Sequence, residues 1–143
     1  MKITNLIYPC LWFDNQSKEA AEFYCGIFPN SKIIFESPMV VQFELNGHRF
    51  MGLNGGPQFK HSEAVSFVIE CKDQKEIDFY WNNLITDGGQ ESMCGWCKDK
   101  FGVSWQVVPV ILGELMRDHE KSKKVFEVVM TMRKLDVQAL LNA

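Results

Sequence analysis

The chain has no run of lysines or arginines, and its formal net charge is −3, so it lacks the basic footprint of a nucleic-acid binder. No apolar window approaches the roughly 20 residues that cross a bilayer. Met1 to Phe13 reads as a strand and not as a charged-then-apolar leader, which gives the expectation of a cytoplasmic protein with no membrane partner. A disulfide framework is also missing, because five cysteines are an odd number and no export signal accompanies them. Cys10, Cys25 and Cys71 sit inside apolar segments and read as small core residues. Cys94 and Cys97 form a Cys-x-x-Cys, yet no second pair exists to complete a four-ligand zinc site. A thioredoxin-like redox pair would open a helix, whereas this one leads into a strand. A Gly-rich loop between a strand and a helix is lacking too: Gly55-Gly56 and Gly88-Gly89 fall at a hairpin exit and a helix end.

What remains is a chain of 143 residues, 46% hydrophobic and 13% aromatic, enough for one domain with a substantial core. Ile3 to Phe13 reads as a first strand, with Pro9 at an edge or bulge. Ser17 is placed to cap a helix containing Ala20, Phe23 and Tyr24, which Pro29 stops. Ser31 to Glu36 is a short strand. Val40 to Asn46 alternates apolar Val41, Phe43 and Leu45 with polar Gln42 and Glu44, and Asn46-Gly47 turns the chain into the strand His48 to Leu53.

The plan then repeats. Val65 to Cys71 is a strand, Asp73 caps a helix from Gln74 to about Ile85, and Glu91 to Gln106 supplies further strands. Glu22-Phe23-Tyr24 and Asp78-Phe79-Tyr80 occupy matching places in the two helices. Each half reads as β-α-β-β-β, a duplicated module, the first over about 1–57 and the second over about 62–112. From about 114 to 143 the pattern becomes helical, with Val125, Phe126, Val129 and Met132 on one face and Asp136 capping a last short helix. This tail is expected to cover a sheet edge or enter an oligomer contact.

The stretch Cys94 to Pro109 is the one the chain is organised around. It reverses at Asp99 to Gly102 and continues as a strand with Val103, Trp105 and Val107 on one face and Ser104 and Gln106 on the other. Gln106 is expected to look into a pocket, and Trp96 to wall it.

Leu11-Trp12-Phe13-Asp14, the helix reaching Glu22-Phe23-Tyr24, Cys94-Gly95-Trp96, the run Asp99 to Pro109 and the ending Met132-Arg133-Lys134-Leu135-Asp136 together resemble a family. The chain is similar to the vicinal-oxygen-chelate superfamily of glyoxalases, extradiol dioxygenases and bleomycin-resistance proteins. Within it, the likeness is to PhnB-like proteins and the domain labelled 3-demethylubiquinone-9 3-methyltransferase. The resemblance implies an α+β fold in which two βαβββ modules form a curled sheet around a cleft, with a C-terminal helical extension, and it implies a homodimer. In metal-using relatives His, Gln or Glu ligands come from the first and last strands of each module. Carried over, those positions fall within Ile7 to Pro9, near Gly52, near Ser66 and at Gln106. Only Gln106 offers a ligating amide oxygen, and one neutral ligand does not hold a catalytic divalent ion, so no metal or other cofactor is expected.

Two readings follow. One is a metal-independent small-molecule-binding protein whose ligand meets Ile7, Pro9, His48, Phe50, Gly52, Ser66, Trp96 and Gln106. The other is an enzyme, of glyoxalase or dioxygenase type or with the methyltransferase activity of the family label, in which His48 or the Cys94 and Cys97 thiols, Cys97 foremost, act on a bound substrate. His48 enters because it shares a strand face with Phe50 and Gly52. His61 and Glu63 are expected to be exposed, and His119 belongs to the tail.

Overall fold

The computed structural model describes residues 6–143, which divide into two compact units, the first ending at His61 and the second spanning Ser62–Ala143. Each unit holds a βαβββ module, and the second continues into three helices, an α+β architecture. The strand expected from Ile3 is shorter: β1 is Cys10–Phe13, Leu6 to Pro9 lie outside it, and Ile3 to Asn5 fall outside the described residues.

In the first unit β1 is followed by α1 (Ser17–Ile27), β2 (Lys32–Glu36), β3 (Val40–Leu45) and β4 (His48–Asn54). The strand order is β1-β4-β3-β2, with β1 and β4 parallel and the rest antiparallel. Asn46 and Gly47, at φ 50° and 81°, make the tight turn between β3 and β4, as the Asn-Gly pair predicts. Leu11, Phe13, Val41, Phe43, Leu45 and Phe50 are buried together with Ala20, Ala21, Tyr24 and Ile27 of α1. This makes one face of the sheet the seat of the helix.

The start of α1 differs from expectation. Ser17 is its first helical residue, wholly buried, and its hydroxyl makes no hydrogen bond. The cap comes from afar: Asn54 Oδ1, at the end of β4, accepts from the Ser17 N–H at 2.9 Å.

In the second unit β5 (Ser66–Cys71) leads to α2 (Gln74–Leu84), then β6 (Gln90–Glu91), β7 (Trp96–Lys98) and β8 (Ser104–Pro109), in the order β5-β8-β7-β6. Asp73 caps α2 as expected, its carboxylate accepting from the Glu76 N–H at 3.0 Å. Ile77, Trp81 and Leu84 of α2 are buried, as are Cys71, Cys97, Trp105 and Val107.

The tail forms α3 (Val110–Arg117), α4 (His119–Val129) and α5 (Val137–Leu141). Val125, Val129, Leu135 and Leu140 make a small core of their own, against which Met132, Cys94 and Val108 pack. Phe126 departs from the expected helical face, being 52% exposed. Asp136 caps α5, accepting from the Ala139 N–H. The segment before α5 is clamped on both sides. Cys94 and Gly95 donate their N–H groups to the Met132 and Arg133 carbonyls at 2.7 and 2.8 Å, while Gln74 donates to the Leu135 carbonyl and accepts from the Val137 N–H. Lys134 reaches Asp78 at 3.0 Å, and the Gln74 and Lys134 bonds hold the Asp78 carboxyl below its ordinary range.

Leu135 thus anchors the tail through a wholly buried side chain. Leu135→Ala is expected to destabilise the protein by about 2–5 kcal/mol in chemical denaturation, with Leu141→Ala, half exposed, costing well under half of that.

Candidate functional site

Site geometry in the second unit begins at Asp99. Its side chain is 2% exposed, and its Oδ1 accepts from the Phe101 and Val103 N–H groups at 2.9 and 3.1 Å while Oδ2 accepts from Trp105 Nε1 at 2.9 Å. A buried carboxylate is tolerated only when its lone pairs are filled in this way. These bonds close the turn between β7 and β8 and point the Trp105 ring toward α2. Since side chains alternate along a strand, Ser104 and Gln106 must face the other way.

That opposite face gathers three of the residues expected from the sequence. Gln106 pairs in register with Trp96 on β7 and with Val68 on β5. Its Nε2 donates to Ser66 Oγ at 3.0 Å, leaving the amide oxygen as an acceptor beside the indole of Trp96. Lys98 on the same face pairs with Glu63. The small core of the tail packs against Val108, the next even-numbered residue of β8. The Gln106 amide, the Ser66 hydroxyl and the half-buried Trp96 surface therefore lie side by side, with Lys98 on the same face.

Placement in the first unit corrects the sequence reading. Phe50 is 8% exposed and stacks on Phe43 at 5.5 Å between centroids, and a Cβ added at Gly52 would lie 2.9 Å from the Ser17 Cβ. Both residues face α1. The helix needs apolar partners and a close approach, so that parity of β4 is taken by the core. The residues turned away from α1 are Arg49, Met51 and Leu53, together with Cys10 and Trp12 of β1. Sequence reasoning missed them because it let His48 set the direction of the strand. Apolar Phe43, in register with Phe50, was the signal that decides it.

His48 itself is exposed at the hairpin end. Ile7 is 89% exposed, and Pro9 is exposed, with its carbonyl accepting from the Met51 N–H at 3.0 Å. Neither lies within β1, so the expected inward-facing position at Ile7 to Pro9 is not formed by that strand. His61 is held and not freely solvated: its Nε2 is 2.7 Å from the Trp12 carbonyl, and its ring packs on Phe13. His119 is exposed at the start of α4.

Cys97 does not fit the nucleophilic role. It is 1% exposed on the α2 side of β7, and burial pushes its thiol up to about 12, with Asp99 and Glu91 adding to the shift. Cys94 lies instead against the tail, its sulfur 3.4 Å from that of Met130. The two thiols of the Cys-x-x-Cys thus serve separate packing environments.

Among the described residues no group of three or more His, Cys, Asp or Glu is placed to hold a metal ion. On each sheet taken by itself, the strand positions facing away from the helix, Cys10, Met51 and Leu53 on the first and Ser66 and Gln106 on the second, offer no donor set that suits a divalent cation. A pocket of about 410 Å³ opens beside the start of α1 between Asn15, Lys18, Glu36, Ser37 and Asn54. Several of its polar groups are already engaged: Lys18 pairs with Glu36 at 3.1 Å, Asn54 caps the helix, and Ser37 exchanges bonds with Val40.

The family model described as 3-demethylubiquinone-9 3-methyltransferase matches residues 5–108. A PhnB protein from Bacillus cereus, titled with the same methyltransferase name, is 28% identical with a TM-score of 0.67, over 74% of this chain and 100% of that one. FosX, a genomically encoded fosfomycin resistance protein from Listeria monocytogenes solved with Mn(II) and sulfate, is 16% identical with a TM-score of 0.60, over 82% and 100%. A glyoxalase-related enzyme from Fulvimarina pelagi is 14% identical with a TM-score of 0.57, over 77% and 91%. The last two share the fold. No curated protein matches the chain.

Asp99→Ala removes the acceptor of three donors, two of them buried. It is expected to cost about 3 kcal/mol or more in urea unfolding, accompanied by a change in Trp105 fluorescence.

Proposed function

The chain belongs to the 3-demethylubiquinone-9 3-methyltransferase family and has the vicinal-oxygen-chelate fold, and from that premise we propose that it is a small-molecule-binding protein that works without a metal ion. The ligand is held on the face of the second sheet turned away from α2. There the Gln106 amide and Ser66 hydroxyl give it hydrogen bonds, and Trp96 gives it an apolar wall. The observation that carries this reading is the 3.0 Å bond from Gln106 Nε2 to Ser66 Oγ, because it spends the amide on a neutral neighbour and presents its oxygen alone.

Methyl transfer, which the family's description names, receives no support from the architecture. A sulfonium methyl donor carrying an adenosine ordinarily rests on a doubly wound parallel sheet over a Gly-rich turn, whereas both sheets here are mixed and four-stranded. Fosfomycin resistance with Mn(II) belongs to the Listeria protein, and the donor set described above argues against importing its metal.

The working state in this reading is a cytoplasmic homodimer. The five cysteines are all free thiols, as a reducing compartment keeps them. The edge strand β2 exposes Ile34 and Phe35 at 47% and 51%, and α3 buries no residue, surfaces suited to a second copy.

Isothermal titration with Mn(II), Zn(II), Ni(II) and Fe(II) is expected to give no one-to-one binding in the micromolar range. Stoichiometric binding that Gln106→Ala abolishes would contradict the metal-free reading. Sedimentation equilibrium at micromolar protein should give the mass of two chains, and a single-chain mass would remove the dimer.

A further inference from the structure

One cation in the first unit is positioned but not neutralised. Arg49 stands on β4 with its side chain on the face away from α1. Its Nη2 donates to Gln42 Oε1 at 2.6 Å, and its guanidinium lies 4.2 Å from the centroid of the Tyr8 ring. Its Nε is buried and has no hydrogen-bond partner, and among the described residues no carboxylate pairs with it. Glu44 is directly opposite Arg49 in the β3–β4 register and would be its ordinary counterion. The arginine instead reaches diagonally to Gln42, the residue opposite Met51. A guanidinium stacked on an aromatic ring and steadied by a neutral amide has a fixed plane, and its fork of donors keeps the geometry that matches a carboxylate.

The surface beside it is apolar. Met51 and Leu53 continue β4 on the same face, each in register with a residue of β1, Cys10 and Trp12 respectively. Trp12 is itself fixed, its Nε1 donating to the Gly56 carbonyl at 2.8 Å and its ring meeting Phe59 edge-on at 4.8 Å. One unneutralised positive charge next to a half-buried apolar strip, with Glu44 close by, suits a single negative charge on a hydrophobic body better than a compact dianion.

We propose that Arg49 anchors a binding site for a small organic carboxylate whose apolar body rests on Met51, Leu53 and Trp12. This site stands on the first unit's own residues and does not depend on the reading of Gln106. Tyr8 and Gln42 are its positioning residues: they hold the guanidinium plane without meeting the ligand's charge.

The test is a proton–nitrogen NMR titration of the full chain with sodium benzoate, with benzamide as the neutral isostere and inorganic phosphate as the compact anion. Benzoate is expected to shift the Arg49 Nε–H and Trp12 indole resonances saturably, with benzamide and phosphate at least about tenfold weaker. Arg49→Gln should weaken benzoate by about tenfold or more. Glu44→Gln, which leaves every contact of Arg49 in place, should tighten it, and this variant decides the matter if Arg49→Gln does not fold. The proposal is overturned if benzoate produces no saturable shift, if benzamide or phosphate binds as well, if benzoate affinity survives Arg49→Gln, or if Glu44→Gln leaves it unchanged or weaker.

Discussion

A single buried carboxylate decides which way the last strand faces. Asp99 is withdrawn from water and survives there because two backbone N–H groups and one indole N–H fill its oxygens. The indole belongs to Trp105, so the bond that closes the turn also commits the odd-numbered residues of β8 to the core under α2. Strand alternation then leaves Ser104 and Gln106 no choice of side. A slip of one residue would bury an amide and expose a tryptophan, which is why so small a feature governs the candidate ligand face.

The first unit reaches the same layout with different chemistry. There α1 is seated by Gly52, which leaves room for Ser17, and by the Asn54 amide, which serves the helix's first N–H from the far end of β4. The second unit uses Asp73 at its helix and Asp99 at its hairpin. Because core demands consume one parity of β4 and of β8, each sheet presents the other parity to whatever it binds. On the first sheet that parity includes a guanidinium; on the second it includes a hydroxyl and an amide. These are the hydrogen-bonding groups on which the proposed ligand sites rest.

Much of this was legible in the residues. The duplicated βαβββ order, the Asn46-Gly47 turn, the Asp73 and Asp136 caps and the alternation along β8 are written in local signals whose structural meaning is nearly unique. The pairing of Gln106 with Ser66 follows from the parallel β5–β8 ladder once the strands are in place. Other features rest on long-range partners that no local pattern reveals. Ser17 looks like a cap and is a buried first-turn residue, because Asn54, 37 positions away, took the capping role. His48, Phe50 and Gly52 share a face as alternation says, but only the seat of α1 tells which face it is. Arg49 escaped notice because nothing in its neighbours announces that Tyr8 and Gln42 converge on it.

The central claim is that ligands meet the Gln106 side of the second sheet and leave its Trp105 side packed. Proton–nitrogen NMR on the full chain, screened against a diverse small-molecule library, reads both sides at once through the Gln106 side-chain amide and the indole N–H groups of Trp96, Trp81 and Trp105. The account predicts that binders move the Gln106 and Trp96 signals while those of Trp81 and Trp105 stay still. Binders that shift Trp81 and Trp105 but leave Gln106 unmoved would contradict it.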